Sequence, residues 1–380
     1  HFLAFFPPWV AIGATALALL LILPPVSGYA VRLLSGIRLP EVRLSLLRSR
    51  HLRYALGSLL CLIPFYLLRV RVPRLGDGPD LVLALTQPLK HFSSEPLTIS
   101  VVNILYKIIN GAGEADALWA YQLLSWACGA LYVYFLLLIS NAMGRNRRER
   151  IILGLFLMSI GTVELLCGYP ENYAPLALFV LIYLYVTWRY LEDRSSLTAP
   201  VLIWSIAFAF HFSASVLFPS LVLLYYLEWR RNLSRIGLYL RTAIPPMLIF
   251  CFLLLIRFDL SDYFRALGKM PSTVPLWNPE PYLRAHTLLS PVHLMDVANQ
   301  HLLVAPMSLL LIGAILFTVR SRFAKTPYLF FLGSASLFYF LFACIFNSYI
   351  GAFRDWDLLS PMAINNTLRT TGVSPWVKAF

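Results

Sequence analysis

The chain has 380 residues, 59% hydrophobic and only 13% charged, with a formal net charge of +13 and a mean hydropathy of +0.71. That charged share is about half what an ordinary soluble domain carries, which excludes a soluble globular protein of this size. Apolar runs of roughly 18 or more residues recur along the chain, each long enough to cross a hydrocarbon core about 30 Å thick. They read as helices, because a helix satisfies its own backbone in lipid, and the strand alternation of an outer-membrane barrel is absent.

Candidate spans fall at 8–30, 54–68, 118–140, 151–167, 174–190, 199–210, 213–228, 242–257, 302–319 and 327–347, and a further one starts near Leu358. The first is too long for a signal-peptide core and has no A-x-A site. The chain starts at His1 and its last apolar run is short, which reads as part of a longer chain. The expected architecture is an all-α integral membrane protein of about 10–11 transmembrane helices forming a single transmembrane domain over 1–380. The stretch Thr198–Glu228 reads as one long tilted helix or as two short ones hinged at His211 and Ser213.

Basic residues set the orientation. Arg32, Arg38, Arg43, Arg48, Arg50 and Arg53 crowd the first long loop; Arg145, Arg147, Arg148 and Arg150 a second; Arg230, Arg231, Arg235 and Arg241 a third; Arg320, Arg322 and Lys325 a fourth. Alternate loops therefore carry the positive charge, as a cytoplasmic face does. The alternation favours the hinged reading of 198–228, since a single span would put the Arg230 loop on the wrong side. Nucleic-acid binding is disfavoured, because the arginines sit in short juxtamembrane loops facing an anionic leaflet. The opposite face has two large loops, 69–117 and 258–301, and holds twelve of the eighteen acids. The five cysteines have no metal-type spacing and lie in or beside apolar runs, where they act as small hydrophobes.

Five clusters on the acidic face could carry chemistry. In Asp77-Gly-Pro-Asp80, Gly and Pro force a turn that holds two carboxylates at the membrane surface, able to act as a general base or to hold a divalent cation; an ordinary helix-capping turn is the bland alternative. Next, Lys90 and His91 are placed to meet a phosphate, or are a solvated cation pair. They precede Glu95-Pro-Leu97, and the apolar spacing Leu97, Val101, Ile104, Leu105, Ile108 predicts an amphipathic helix lying in the interface. Third, Tyr169-Pro-Glu171-Asn172-Tyr173 is a tight turn rich in hydrogen-bonding groups, and Glu164, seven residues earlier, falls on the same helical face as Glu171. Fourth is His211, in a long apolar stretch, where a structural histidine is as reasonable as a functional one. Fifth, Arg354-Asp355-Trp-Asp357 enters the last apolar run, where Arg354 could clamp a phosphate or merely pair with Asp355. No P-loop, GxGxxG, HExxH or GxSxG is present, which argues against a nucleotide-driven pump or enzyme.

Taken together, the acid soon after a span at Asp77 and Asp80, the following Glu95-Pro96-Leu97 segment and the paired short spans around His211 resemble the GT-C superfamily of membrane glycosyltransferases. That group includes protein O-mannosyltransferases, oligosaccharyltransferases and the bacterial aminoarabinose transferase. The likeness covers topology from about residue 54 to 347; the Arg-rich loop before it implies one additional span. The resemblance implies a long first extracytoplasmic loop with interfacial helices, a polyprenyl-phosphate-linked sugar donor, and a site on the outer side of a bacterial or archaeal cytoplasmic membrane. Asp77, Asp80 and Glu171 are then the catalytic candidates. Lys90, His91, Asn172, Tyr173, His211, Arg354, Asp355 and Asp357 are the substrate-binding candidates. The residues assign no cofactor with certainty, and a divalent cation held by the carboxylates is the one candidate. A lipid-linked glycan polymerase or ligase shares this chemistry, and a lipid or polysaccharide transporter is the non-enzymatic rival.

Overall fold

The computed structural model describes residues 49–72, 76–87, 94–231, 235–256, 258–259, 261, 264–265, 273–277, 287–305, 327–347 and 355–373. The expected span at 8–30, nearly all of 302–319, and the candidates Lys90, His91 and Arg354 lie outside the described residues.

The described chain is helical: α1 Arg50–Leu60, α2 Leu62–Leu67, α3 Gly78–Leu85, α4 Pro96–Ile108, α5 Glu114–Met143, α6 Arg147–Met158, α7 Tyr173–Leu191, α8 Thr198–Phe210, α9 Phe218–Trp229, α10 Arg235–Leu255, α11 Pro291–Val304, α12 Pro327–Ile345, α13 Trp356–Leu359 and α14 Met362–Val373. Short 3-10 turns at Gly161–Leu166 and Phe212–Leu217 join some of these, and the one β-bridge among the described residues pairs Thr273 with Phe346. Among the described residues, four helices are long and apolar enough to cross a membrane: Glu114–Met143, Tyr173–Leu191, Phe212–Trp229 and Pro327–Ile345. The protein is therefore an all-α membrane protein.

The longest helix, α5, serves as the ruler of the fold. Its 30 residues span about 45 Å at 1.5 Å per residue. Glu114 and Asp116 occupy its first turn, where carboxylates complement the positive helix end. Helix α7 runs parallel to it: the Gly168 turn that leads into α7 lies against Gln122 near the start of α5, and further along both helices Phe135 meets Tyr185 with centroids 6.0 Å apart. Helix α9 in turn runs parallel to α7: Tyr183 meets Ser220 at 3.0 Å and, one to two turns on, the Tyr190 hydroxyl donates to Glu228. Three parallel helices need return segments between them. One return is α6 with the 3-10 turn after it; the other is α8.

Several expected spans are broken, each for a local reason. The run 54–68 divides at Cys61 into α1 and α2, because Pro64 has no N–H to continue the α1 ladder. The run 151–167 leaves α-helical geometry after Met158. Gly161 there lies against the end of α11, and a Cβ on it would stand 3.2 Å from Val304 Cα. In 198–228 the hinged alternative is the one observed: His211 is extended (φ −156°, ψ 125°) between α8 and the next 3-10 turn. The two arms fold back on each other, with Trp204 Nε1 donating to the Ala214 carbonyl at 3.0 Å.

The α4 helix forms where its spacing predicts. Its protein-facing side carries Thr98 and Val102, both fully buried. Ile104 and Ile108, two of the five residues of the stripe expected to sit in the interface, are 55% and 68% exposed. That apolar face has no protein partner among the described residues, as suits contact with lipid.

Candidate active site

The site is built from four separate segments of the chain, three of which carry acids singled out in the sequence. The first holds Asp77. Gly76 adopts φ +67°, a left-handed conformation that glycine takes without strain, and this turns the chain into α3. Asp77 occupies the N-cap position of α3 without a side-chain capping bond, so its carboxylate is not taken up by the helix end. Its backbone N–H instead donates to the carboxylate of Glu171. Asp80 lies in the first turn of the same helix, exposed.

Glu171 sits in the turn between the 3-10 segment and α7, built by two constraints. Gly168 has φ +72°, and a Cβ there would stand 3.1 Å from both Gln122 Cγ and Trp126 Nε1, so the position needs glycine on two counts. The turn is then bolted to α5: the Ser125 hydroxyl donates to Leu165 O at 2.6 Å and accepts from Gly168 N at 2.8 Å. Gln122 Nε2 reaches the Val70 carbonyl at 2.7 Å while Val70 N donates to Cys167 O at 3.3 Å. Because of Gly168, Glu164 and Glu171 do not share a helix. Glu164 belongs to the 3-10 turn Gly161–Leu166, and the expected common helical face is not formed. Glu171 and Asn172 are 4% exposed, and Glu171 Oε1 and Asn172 Oδ1 have no hydrogen-bond partner among the described residues.

The third segment is Asp355–Asp357, just before and within the first turn of α13. The Thr162 hydroxyl donates to Ser360 O at 2.5 Å, tying this segment to the turn before Glu171. Tyr169 stacks edge-on to Trp356 with centroids 5.8 Å apart. Asp357 is 2% exposed and accepts from Leu358 N at 3.0 Å.

These placements crowd like charges. Burial first, then the neighbouring Asp357 and Asp77 carboxylates, push the Glu171 pKa far above the usual carboxylate range. Burial and Asp355 push Asp357 up likewise. Asp77, nearer the rim, is raised by partial burial and then by Glu95 and Asp80. Carboxylates this close cannot all ionise together, so the cluster keeps protons at neutral pH.

The fourth segment closes the site from the side of α8. Phe212 N donates to Ser94 O at 2.9 Å and the Thr98 hydroxyl to Phe210 O at 2.8 Å, which clamps the start of α4 onto the break at His211. His211, 3% exposed, stacks on Tyr173 with centroids 4.5 Å apart. Its Nδ1 accepts from Ser213 N at 3.1 Å, which leaves the proton of the neutral ring on Nε2. That nitrogen stands 3.4 Å from Glu95 Oε1, though not in hydrogen-bond alignment. Tyr173 in turn lies within electrostatic reach of Asp355, Asp357, Glu95 and Glu171.

Asp77, Glu171, Asn172, Tyr173, His211, Asp355 and Asp357 therefore share one end of the molecule. Three further residues belong with them that sequence reasoning left out of the site: Glu95, Tyr121 and Tyr169. Tyr121, one of many aromatics in an apolar helix, is close enough to feel both Glu171 and Glu95. Glu95 had a local signal in its Glu-Pro helix start and Tyr169 in the hydrogen-bonding turn around Glu171, whereas Tyr121 had none. Arg69, the described cation nearest the Gly168 turn, is turned back over the Tyr66 ring at 4.0 Å. Among the described residues no three His, Cys, Asp or Glu side chains close on a point that a metal ion could fill.

No protein-family model matches this chain, and no characterised protein or solved structure does either.

Proposed function

We propose that the protein transfers a glycosyl group from a polyprenyl-phosphate-linked donor to an acceptor at the extracytoplasmic membrane surface. The observation that carries this reading is the meeting of Asp77, Glu171 and Asp357 from distant parts of the chain, in protonation states set apart by their surroundings. Asp77 is the carboxylate nearest the rim, unengaged by its own helix, and is assigned as the base that takes the proton of the acceptor hydroxyl. Glu171, buried and proton-holding, is assigned to donate a hydrogen bond to the substrate through the side chain whose Oε1 has no protein partner. Such pairs of acids pushed apart in pKa are how one site performs both proton-accepting and proton-donating work. The resemblance to membrane glycosyltransferases supplies the donor class, and the lipid-facing stripe of α4 beside the site suits a polyprenyl tail. Lys90, His91 and Arg354 remain the candidates for stabilising the departing phosphate.

The test is transfer of labelled sugar from the lipid-linked donor in membrane vesicles carrying Asp77→Asn or Asp80→Asn. Asparagine keeps the shape but cannot accept a proton. Asp77→Asn should slow transfer by about 10³-fold, within the usual range for removing a general base, while Asp80→Asn should cost far less. Near-normal turnover in both variants would remove the assignment.

A further inference from the structure

At the other end of α5, α1 and α6 enclose an open cavity of about 500 Å³ lined by Arg50, Arg53, Tyr54, Asn141 and Arg150. Its walls are fixed by packing. The Ser49 hydroxyl caps α1, accepting from Leu52 N at 3.4 Å. His51 Nδ1 bonds the Tyr134 hydroxyl at 2.8 Å, which ties α1 to α5. Arg150 is anchored through Nε to the Gly144 carbonyl at 3.1 Å, which leaves its two terminal nitrogens for the cavity. The nearest acid in sequence is Glu149, and its carboxylate is occupied by Arg145 N at 2.7 Å and Asn146 Nδ2 at 3.2 Å. Among the described residues no carboxylate pairs with Arg50, Arg53 or Arg150. Three guanidinium groups around one cavity repel one another unless an anion lies between them, and guanidinium forks suit phosphate oxygens.

The surroundings say which kind of phosphate. From the same α1 turn that bears the arginines, Leu52, Leu56, Leu59 and Leu60, then Ile63 of α2, run on as an apolar stripe, each 40–65% exposed. A soluble phosphate has no use for such a stripe, whereas a lipid has a headgroup for the cavity and an acyl chain for the leucines. We infer that the cavity between α1, α5 and α6 binds the phosphate of an anionic lipid headgroup, with the lipid's tail lying along Leu52, Leu56 and Leu59. The site is separate from the acidic cluster and does not depend on the glycosyl-transfer reading.

Native mass spectrometry of the purified full chain tests this. The chain is titrated with phosphatidylglycerol, with phosphatidylcholine of the same chains, and with inorganic phosphate. The expected result is retention of phosphatidylglycerol at least about tenfold tighter than phosphatidylcholine, the scale of one charge-assisted hydrogen bond to an arginine, with no displacement by inorganic phosphate. Arg50→Gln/Arg53→Gln/Arg150→Gln should abolish the preference, whereas Arg147→Gln, just outside the cavity, should keep it. Single Arg53→Gln and Arg150→Gln variants, each with a melting curve matching the parent, carry the same test if the triple variant does not fold; each should lower the preference several-fold. An unchanged preference in the folded variants would overturn the site. Equal binding of both lipids would do the same, and displacement by inorganic phosphate would overturn the lipid assignment.

Discussion

Two buried glutamates stand at the two ends of α5, and their surroundings differ in kind. Glu149, 5% exposed, is at the start of α6, where Asn146 Oδ1 caps its backbone N–H at 2.9 Å and its own carboxylate accepts from Arg145 N and Asn146 Nδ2. That is a satisfied structural acid at a helix N-terminus, where negative charge is favoured. Glu171, 4% exposed, receives one backbone N–H, has no partner for Oε1 among the described residues and faces Asp77, Asp355 and Asp357. Equal burial thus gives two opposite roles: one carboxylate completes a loop, and the other is held where nothing in the fold gains from its charge. A buried acid that the fold does not use is by default a functional hypothesis, which is the reading proposed above for Glu171.

The largest effect that separates the two ends is on turnover. Glu171→Gln should slow transfer by about 10²-fold, the low end of a lost acid–base group, while Glu149→Gln should leave the rate within about twofold, below one kcal/mol of barrier. Equal losses in the same vesicle assay would mean that the acid end holds no special site.

The next effect is on the turn that carries Glu171. Gly168→Ala places a Cβ at 3.1 Å from Gln122 and Trp126 in a left-handed backbone, and should cost about 2 kcal/mol. Gly57→Ala is the control, because its Cβ would meet only Leu137 at 3.8 Å, and alanine within a helix stabilises by roughly 0.5–1 kcal/mol. Thermal melts of detergent-solubilised protein should move in opposite directions for the two variants. A Gly168→Ala melt unchanged from the parent would deny that this turn is pinned.

Much of the acid end was legible in the sequence and some of it was not, and the line between them is physical. Asp77, Asp80, Glu171, Asp355 and Asp357 announce themselves because charge in an apolar chain is rare. His211 does so because it interrupts a long apolar run, and the hinge there follows from the alternation of basic loops. What pattern reading cannot deliver is a contact between segments far apart in sequence, such as Thr98 with Phe210 or Ser94 with Phe212. Those depend on tertiary packing alone. The supposed common face of Glu164 and Glu171 failed for a related reason. Helical periodicity assumes a continuous helix, and Gly168 at positive φ ends it. The break of 54–68 at Cys61, by contrast, was readable from Pro64.

The third effect concerns stability and pH. Glu171 has a folded pKa raised by burial and neighbouring carboxylates, so the fold binds its proton more tightly than the unfolded chain does. Below the ordinary carboxylate pKa both states are protonated and the group is neutral in its effect. As pH rises through that range the unfolded chain ionises while the fold stays protonated, so stability falls. Replacing Glu171 by glutamine removes this liability. Glu171→Gln should therefore melt higher than the parent at neutral pH, by on the order of 1 kcal/mol, and its advantage should grow from about pH 5 to about pH 8. Glu149→Gln should instead melt slightly lower, because it weakens acceptance from Arg145 N and the helix-end charge, together roughly 0.3–1 kcal/mol. A variant that gains stability and loses the proposed turnover is the trade expected of a functional site. If Glu171→Gln were destabilising at every pH, the carboxylate would be a satisfied structural group like Glu149.

The smallest effect lies at the basic end, where α7 and α9 finish side by side. Arg231 Nη1 stands 2.8 Å from Asp193 Oδ1 and 3.9 Å from Glu228 Oε2, with the Asp193 side chain 76% exposed. Water and salt screen a pair so open to solvent, and holding two long side chains in one geometry offsets much of the attraction, so it contributes little. Asp193 also takes φ +56°, a conformation asparagine shares readily, so Asp193→Asn removes the charge without straining the backbone. The melting temperature should change by less than the equivalent of about 0.5 kcal/mol, and less still at high salt. The contrast is with Tyr190→Phe one turn earlier in α7. There the buried Glu228 carboxylate loses the Tyr190 hydroxyl that donates to it, which should cost about 1–3 kcal/mol because a buried acceptor is left unsatisfied. If Asp193→Asn proved as costly as Tyr190→Phe, the basic end would depend on its ion pairs, and the distinction between a solvated end and a buried, strained one would fail.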